Sequence, residues 1–335
     1  MALQQKPDRA AEAIAGKERT ERLFPLVPFN GEKPPAPAWF DAALTAPHTD
    51  GASTVEGADI VWRRWGEPGK RGLIFVHGGV AHLGWWDFIA PFFTDAFTPA
   101  ALSLSGMGRS GRREHYKISL YADEVLTVAK EAGLFEGPEA PLIVGHSFGG
   151  FVTLATSVVH GEQFGGAVIC DSPIRREKGE APRSDPRRRG GRVYPDEAAA
   201  LGRFSLMPNQ ECENLYLLDH IARNALKEAT DEDGKPGVAW VHDPDLWVKM
   251  KYFGGKAADA VPERKCPVAF VRGENSALVT DERWEKMAEL VGAETPRVSI
   301  PEAQHHLMLD QPLAFVSALR GLFGGWPDAE FLLHG

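Results

Sequence analysis

The amino-acid sequence predicts an α/β fold, in which a mostly parallel central sheet is flanked by helices and interrupted by an inserted helical lid. From Ile60 onward, short apolar runs bounded by glycine, proline or charged residues alternate with longer helical patterns, and this alternation is typical of a parallel sheet. The gap between about Ser172 and Pro267 is much longer than the others. Because a structureless loop of that length is rare in a compact domain, we expect a lid there.

The central sheet is predicted from the short apolar runs. They are interpreted as buried strands at Leu73–Val76, Ala100–Leu104, Leu142–Val144, Ala167–Cys170, Val268–Val271 and Arg297–Ile300. Helices are expected after most of these strands. Within the long gap, Leu215–Leu226 has a helical pattern, and the aromatic residues Trp240, Trp247, Tyr252 and Phe253 follow it.

These elements predict a division of the chain into three parts. Residues 1–55 are rich in proline and poor in β-branched residues, so they are expected to form an N-terminal arm. The core is expected to comprise residues 56–171 and 268–335. The helical lid is expected to span residues 172–267.

The composition is that of an ordinary globular protein. Of its 335 residues, 43% are apolar and 25% are charged, and the net charge of -9 gives no overall electrostatic reason to approach nucleic acid or an anionic membrane. A local basic run contains Arg175, Arg176, Lys178, Arg183, Arg187, Arg188, Arg189 and Arg192. Because almost no aromatic residues are interleaved with it, we interpret it as a solvated loop rather than an anion site. We therefore expect neither nucleic acid nor a membrane among the partners.

The cysteines and the termini bear on the cellular compartment. Cys170, Cys212 and Cys266 cannot pair completely, and their spacing does not match a metal site, which favours a reducing compartment. Residues 1–23 lack the apolar stretch of a secretory signal, and no later apolar run is long enough to span a bilayer. The sequence therefore predicts a cytoplasmic protein.

The pentapeptide Gly145-His146-Ser147-Phe148-Gly149 carries the strongest chemical signal in the sequence. It follows the apolar run Pro141–Val144 and precedes a helical pattern, which is the strand-turn-helix context of a GxSxG nucleophile. The glycines on either side of the serine relieve crowding in a sharp turn. We therefore predict that Ser147 is a nucleophile exposed above the sheet, with a structural turn serine as the alternative.

A second signal is the run Leu73–Val76 followed by His77, Gly78 and Gly79. Glycines allow backbone N–H groups to approach a developing oxyanion. We expect the oxyanion hole to combine the N–H of Phe148, at the start of the helix after the serine, with that of Gly79 or Gly78. His77 is expected to order this loop rather than to act as a base.

The base is expected near the C-terminus, where His305 and His306 follow the strand that ends at Ile300. A histidine in this position completes the chain order serine, acid, histidine. His305 is the predicted base and His306 the alternative.

The His77–Gly79 sequence, the pentapeptide Gly145–Gly149 and the ending His305-His306-Leu307-Met308-Leu309-Asp310-Gln311-Pro312 together resemble the α/β-hydrolase superfamily, specifically its lidded, esterase-like enzymes. The resemblance covers about residues 55–325 and implies an α/β-hydrolase fold. It aligns the first histidine of the ending with the base, which is why His305 is preferred. The segment Ser103–Ser110 is similar to the family's DxxGxGxS loop, with Ser103 in place of the aspartate, and that position is usually structural.

The acid of the triad is where this chain departs from the family. Members commonly carry the acid in a GxxD turn, but the turn that begins at Gly273 has Ser276 at the aspartate position. Other members take the acid from the strand after the nucleophile, and Asp171 lies 171 − 147 = 24 residues past Ser147. The resemblance therefore favours Asp171, with Glu274 as the alternative acid. Capping of the following segment is the non-catalytic alternative for Asp171.

These residues predict acyl transfer: His305 removes the proton of Ser147, Ser147 attacks a carbonyl, and water resolves the acyl-enzyme. This mechanism requires no metal and no organic cofactor. A serine nucleophile argues against relatives that are haloalkane dehalogenases or epoxide hydrolases, which need an aspartate there. A C–C bond hydrolase acting on a diketone is the alternative function, and a non-catalytic ligand receptor is a further one.

The expected partner is a small-molecule substrate with an apolar portion. Trp85 and Trp86 follow the predicted oxyanion loop, and Trp240 and Trp247 lie in the predicted lid, so all four are candidate substrate-binding residues. Packing in the core is an equally plausible role for these side chains.

Overall fold

A computed structural model describes residues 23–174, 191–251, 257–292 and 294–326. In chain order, its strands are β1 (His48–Val55), β2 (Ala58–Trp65), β3 (Arg71–Val76), β4 (Phe97–Leu102), β5 (Tyr116–Lys117), β6 (Leu142–His146), β7 (Gly166–Cys170), β8 (Leu226–Thr230), β9 (Pro236–Trp240), β10 (Met250–Lys251), β11 (Val268–Gly273) and β12 (Arg297–Ile300). Eight of them form one sheet in the order β1-β2-β4-β3-β6-β7-β11-β12. β2 is antiparallel to both β1 and β4, and all other neighbours are parallel. The mostly parallel sheet predicted from the sequence is confirmed.

Helices follow most of the parallel strands. In chain order, they are α1 (Ala38–Leu44), α2 (Ile118–Glu131), α3 (Phe148–Val159), α4 (Glu197–Leu201), α5 (Leu215–Asn224), α6 (Leu246–Lys249), α7 (Ala257–Ala260), α8 (Asp281–Val291), α9 (Leu307–Asp310) and α10 (Pro312–Gly324). Helices α2 and α3 pack on each other, and α10 packs on β12. In the described part of the chain, no helix combines the length and the apolar character needed to cross a bilayer.

The central strands are buried along nearly their whole length. In β3, the side chains from Leu73 to Val76 have no exposed surface, and every residue of β6, β7 and β11 is buried. Strands with both faces covered are continuously apolar, which explains why the sequence predicted them well. Because these strands are parallel, their carboxyl ends meet at one edge of the sheet, and the residues that follow those ends can converge.

The structure differs from the sequence analysis at the start of the chain, where residues 48–55 form β1 instead of belonging to an arm. Burial in β1 is confined to alternate positions near its end, at Ser53 and Val55, because the strand lies at the edge of the sheet. Gly51 leaves room for the indole of Trp62 on β2, since a Cβ at Gly51 would lie 2.2 Å from that ring. A polar edge strand of this kind has no apolar run by which the sequence could reveal it.

By compactness, the chain divides into two units, one formed by residues up to Pro35 together with 192–239 and the other by the rest. The smaller unit contains α4, α5 and a hairpin of β8 and β9. Within it, Arg223 donates to Asp219 at 2.7 Å and to the carbonyl oxygen of Gly31 at 2.6 Å. The N-terminal segment is therefore tied to the segment that follows residue 191.

The limits of the smaller unit differ from those of the lid that the sequence predicted over residues 172–267. Residues 240–251 and 257–267 belong to the larger unit, and the smaller unit contains a hairpin as well as helices. Leu226, which the helical pattern included, lies beyond the end of α5 and begins β8. The turn that follows β8 is formed by Asp231, which accepts from the N–H groups of Asp233 at 3.0 Å and Lys235 at 2.8 Å.

Two further features of the sequence are the basic run and the three cysteines. The basic run from Arg175 to Arg189, with Tyr252 and Phe253, lies outside the described residues. Cys170 and Cys266 are buried in the larger unit, and Cys212 is partly exposed in the smaller one.

Candidate active site

Ser147 occupies a strained turn between β6 and α3. Its backbone has φ of 54° and ψ of -115°, a conformation that residues other than glycine rarely adopt. The turn is fixed on both sides, because the Ser147 N–H donates to the carbonyl oxygen of Cys170 at 2.9 Å and Ser172 Oγ donates to the Ser147 carbonyl oxygen at 2.7 Å. The serine side chain is thereby held at the carboxyl edge of the sheet.

The two glycines of the pentapeptide are required by close packing around this turn. A Cβ at Gly145 would lie 2.1 Å from Thr153 Oγ1, and one at Gly149 would lie 2.4 Å from the carbonyl oxygen of Val76. Both distances are far shorter than a nonbonded contact allows. Side chains at these positions would push the helix away from the strand and displace Ser147.

His305 lies between Ser147 and Asp171 and is almost completely buried. Its Nε2 is 3.0 Å from Ser147 Oγ, and its Nδ1 is 3.3 Å from Asp171 Oδ1. A carboxylate oxygen accepts, so Nδ1 carries the proton and the Nε2 lone pair faces the serine hydroxyl. This is the tautomer that a base acting on Ser147 needs.

Of the two predicted acids, the structure brings Asp171 to the histidine and leaves Glu274 at the surface. Asp171 directly follows β7, and its Oδ2 accepts from the N–H of Gly273 at 3.0 Å. Ser276 Oγ donates to Asp171 Oδ1 at 2.6 Å. Glu274 is exposed and accepts from the N–H of Glu302 at 3.1 Å.

The glycine loop after β3 lies beside the turn that carries the serine. A Cβ at Gly78 would be 3.4 Å from Ser147 Cβ, and one at Gly79 would be 3.6 Å from Phe148 Cβ. The backbone of this loop therefore approaches the start of α3, as an oxyanion hole built from both segments would require.

His77 links this loop to the segment after β4. Its Nε2 accepts from the N–H of Leu104 at 3.0 Å, so Nδ1 carries the proton and donates to the Gly78 carbonyl oxygen at 2.7 Å. Complete burial lowers the pKa of His77 to about 3, although its bond to Gly78 opposes the shift. A permanently neutral ring with both nitrogens engaged orders the loop.

His146 is a part of the site that the sequence analysis did not assign. Its Nε2 donates to the carbonyl oxygen of His305 at 2.8 Å, which fixes the backbone of the base. Burial, followed by the proximity of His305, holds the pKa of His146 well below its usual range. The only sequence signal for this contact was the position of His146 beside the nucleophile.

His306 does not occupy the position of the base. Its buried ring lies against Trp85, with ring centroids 5.4 Å apart, whereas His305 faces Ser147. The geometry therefore favours the first histidine of the pair.

In the described part of the chain, His146, His305 and His306 form the group that could hold a metal ion, with one ligand nitrogen from each within 4.8 Å of the others. Hydrogen bonds already engage Nε2 of His146 and both ring nitrogens of His305. A metal ion on His305 would therefore have to displace Ser147 or Asp171. The arrangement suits an oriented base better than a metal ligand.

The four candidate substrate-binding tryptophans have different surroundings. Trp247, on α6, contacts Phe148 and the loop at Gly79: its ring centroid is 5.4 Å from that of Phe148, and a Cβ at Gly79 would lie 3.0 Å from its indole. Trp85 packs on His306, and Trp240 ends β9. Trp86 is fully buried next to Phe75, with centroids 4.9 Å apart, so the structure places it in the core.

This chain is similar to a known protein family and to several known proteins. The model of a family described as "Alpha/beta hydrolase family" matches residues 73–319. Esterase Rv0045c of Mycobacterium tuberculosis is 25% identical over 280 residues, which cover 80% of this chain and 87% of that protein. A pimeloyl-(acyl-carrier protein) methyl ester esterase of Edwardsiella ictaluri is 30% identical over 115 residues, which cover 34% of this chain and 41% of that protein. A solved thioesterase domain from the curacin biosynthetic pathway has a TM-score of 0.66 at 20% identity, covering 82% of this chain and 99% of that one.

Proposed function

We propose that this chain, which belongs to the alpha/beta hydrolase family and is a hydrolase, cleaves a carboxylic ester, lactone or related acyl bond through an acyl-enzyme on Ser147. The observation that carries the proposal is the continuous line of contacts from Ser147 Oγ through the His305 ring to the Asp171 carboxylate, at 3.0 and 3.3 Å. Nucleophile, base and orienting carboxylate in hydrogen-bonding reach of one another are the parts that acyl transfer needs.

In the proposed reaction, the Ser147 hydroxyl transfers its proton to Nε2 of His305 as its oxygen attacks the substrate carbonyl carbon. The N–H groups of Phe148 and of Gly79 or Gly78 stabilise the resulting oxyanion. Collapse of the tetrahedral intermediate breaks the ester bond, and the leaving alcohol takes the proton from His305. Water then attacks the acyl-enzyme with His305 as base, releasing the carboxylic acid and restoring Ser147. Asp171 orients the ring and stabilises its charged form.

The comparisons favour an ester over the C–C bond that the same residues could also cleave. A relative named an esterase matches over most of both chains, and another is named for a methyl ester. Trp247, whose ring contacts Phe148 and Gly79, supports an apolar group next to the reacting carbonyl.

Hydrolysis of p-nitrophenyl esters of graded acyl length, with a lactone and a diketone in the same panel, tests this proposal. We expect ester turnover, lost by at least about 10³-fold in Ser147→Ala and in His305→Ala, because each variant removes a group that bonds or moves a proton. A fluorophosphonate probe should label the parent protein and not Ser147→Ala.

His306→Ala is the matched control for the base. It deletes the neighbouring imidazole, which lies against Trp85, so activity should fall by less than about tenfold. A Ser147→Ala protein that still hydrolysed esters within tenfold of the parent would remove the serine from its role. A severe loss confined to His306→Ala would transfer the base, and turnover of the diketone alone would replace the ester proposal.

A further inference from the structure

The hydroxyl of Ser276 is held in one orientation by the turn after β11. Its oxygen accepts from the backbone N–H groups of Leu278 at 3.1 Å and Val279 at 3.0 Å. A hydroxyl has two acceptor lone pairs and one proton, so with both lone pairs engaged the proton is fixed in direction. It points at Asp171 Oδ1, 2.6 Å away, and the serine is only 5% exposed.

Asp171 is consequently fixed at both carboxylate oxygens by residues at the end of β11. Gly273 donates its N–H to Oδ2 at 3.0 Å, and Ser276 donates its proton to Oδ1. His305 Nδ1 approaches the same Oδ1 at 3.3 Å. Rotation of the carboxylate plane about the Cβ–Cγ bond would break both short contacts, so the neighbouring strand end fixes the plane in which an oxygen faces the histidine.

We propose that Ser276 is a positioning residue for the catalytic acid: the proton it donates fixes the carboxylate oxygen that orients the His305 ring. This inference rests on the proposed function, because it takes Asp171 as the acid of the triad. The turn by itself does not need the donated proton, since capping of Leu278 and Val279 uses only the lone pairs.

The same geometry makes position 276 a second place from which a carboxylate can reach the histidine. The carboxylate oxygens of an aspartate extend one bond beyond the position that a serine hydroxyl occupies. Ser276 Oγ is 2.6 Å from Asp171 Oδ1, so an aspartate at 276 would bring an oxygen close to the place where Oδ1 now lies. Strands β7 and β11 are adjacent, so the residues that follow them, Asp171 and Ser276, lie side by side. A carboxylate at either of these two positions could therefore face His305, with the residue at the other position as its hydrogen-bond partner.

Steady-state kinetics of Ser276→Ala and Ser276→Thr with one p-nitrophenyl ester test the positioning role. Loss of the hydroxyl should lower kcat by between about tenfold and a hundredfold, with KM within about twofold, because the ring is misplaced and substrate contacts are untouched. Ser276→Thr keeps the hydroxyl and should recover most of the loss.

Thr280→Ala is the matched control in the same turn. Thr280 Oγ1 accepts from the N–H of Arg283 at the start of α8, so its removal also weakens a cap. Thermal unfolding of both alanine variants reports the shared structural effect. Only Ser276→Ala should lower kcat.

The exchange of the two residues is the sharper test. Asp171→Asn removes the charge, and adding Ser276→Asp to it should raise kcat at least about a hundredfold over the single variant, a coupling that two independent structural lesions would not give. Should Ser276→Ala fail to fold, Ser276→Cys carries the test of the positioning role, because a thiol is a weak donor at the same position and kcat should again fall.

The outcomes separate this inference from the proposed function. If Asp171→Asn retains full activity in a folded protein, the acid assignment falls and the positioning role with it. If Asp171→Asn is inactive, the inference alone is overturned by an unchanged kcat in Ser276→Ala or by an equal loss in Thr280→Ala.

Discussion

Asp171 is held in a backbone conformation that restricts what can replace it. Its φ is 47°, in the left-handed region that aspartate and asparagine tolerate better than most side chains. Exchange for asparagine therefore keeps both the backbone and the shape of the side chain. A loss of activity in such a variant reflects the missing charge and the altered hydrogen bonding, because an amide offers one acceptor oxygen where the carboxylate offers two to Gly273, Ser276 and His305.

We predict that Asp171→Asn lowers kcat by up to about 10⁴-fold, because the imidazole loses the group that selects its tautomer and stabilises its charged form. Glu274→Gln should change kcat by no more than about twofold, since that side chain is exposed and bonds to the Glu302 N–H. Steady-state kinetics on the two purified variants give the ranking. The opposite order, in proteins with unchanged circular dichroism, would assign the acid to Glu274.

The sequence located some residues of the site much better than others. Ser147 and His305 were selected by local motifs, and the structure brings them within hydrogen-bonding distance. Asp171 was selected by its spacing from the serine. Ser276 and Asp171 are 105 residues apart in the sequence, and a contact between residues so far apart leaves no local sequence pattern. Its only sign was a serine where the family usually has an aspartate.

At the scale of elements, the short helix α6 depends on contacts made by Asp243, which lies shortly before its first residue. Asp243 Oδ2 accepts from Tyr116 Oη at 2.7 Å and from Lys249 Nζ at 2.8 Å, and its N–H donates to the carbonyl oxygen of Gly106 at 2.7 Å. A helix of four residues is not stable alone, so these bonds hold it in place. The position of Trp247 beside Phe148 follows from this anchoring.

We predict that Trp247→Ala reorders the preference for acyl length, because it removes the ring that contacts Phe148 and Gly79. Esters with bulkier acyl groups should gain in kcat/KM relative to acetate. Val248→Ala is the control on the same helix, since Val248 is 84% exposed and its change should leave the ratios alone. A Trp247→Ala variant with the same relative kcat/KM for every ester would show that this side chain does not select the substrate.

Buried elements were easier to predict from the sequence than exposed ones. The interior strands, such as β6 and β11, are buried at every position and begin with a continuous apolar run, and they were found within a few residues of their limits. The edge strand β1 and the hairpin of β8 and β9 bury few of their residues, so neither has a continuous apolar run. The helical pattern was extended past α5 to Leu226, because over only a few residues the apolar spacing of a helix cannot be distinguished from that of a strand.

For the molecule as a whole, buried histidines make stability depend on pH. Burial lowers the pKa of His77 to about 3 and holds that of His146 well below its usual range. An unfolded histidine titrates near about 6.5. Between these values the unfolded chain binds more protons than the folded one, so folding becomes less favourable as pH falls through this window and is unaffected by these groups above it.

We predict that the free energy of unfolding falls by about 2 kcal/mol between pH 7 and pH 5 because of His77, and that His146 adds a loss in the same direction. Urea unfolding at the two pH values measures the change. His77→Asn keeps a donor and an acceptor without a titrating ring, so the dependence on pH should be weaker in that variant. His115→Gln is the control, because His115 is exposed. An equal pH dependence in all three proteins would contradict the assignment.

The three cysteines allow the unfolding of each unit to be followed separately by alkylation. Alkylation requires a thiolate that the reagent can reach. Burial raises the pKa of the Cys266 thiol to about 12, and it raises the pKa of the Cys170 thiol, in the central sheet, well above its usual range. Neither thiol should therefore react while the larger unit is folded. Cys212, which is partly exposed, lies in the smaller unit. Peptide mass mapping after timed alkylation therefore separates local exposure in one unit from unfolding of the other in a single unmodified protein.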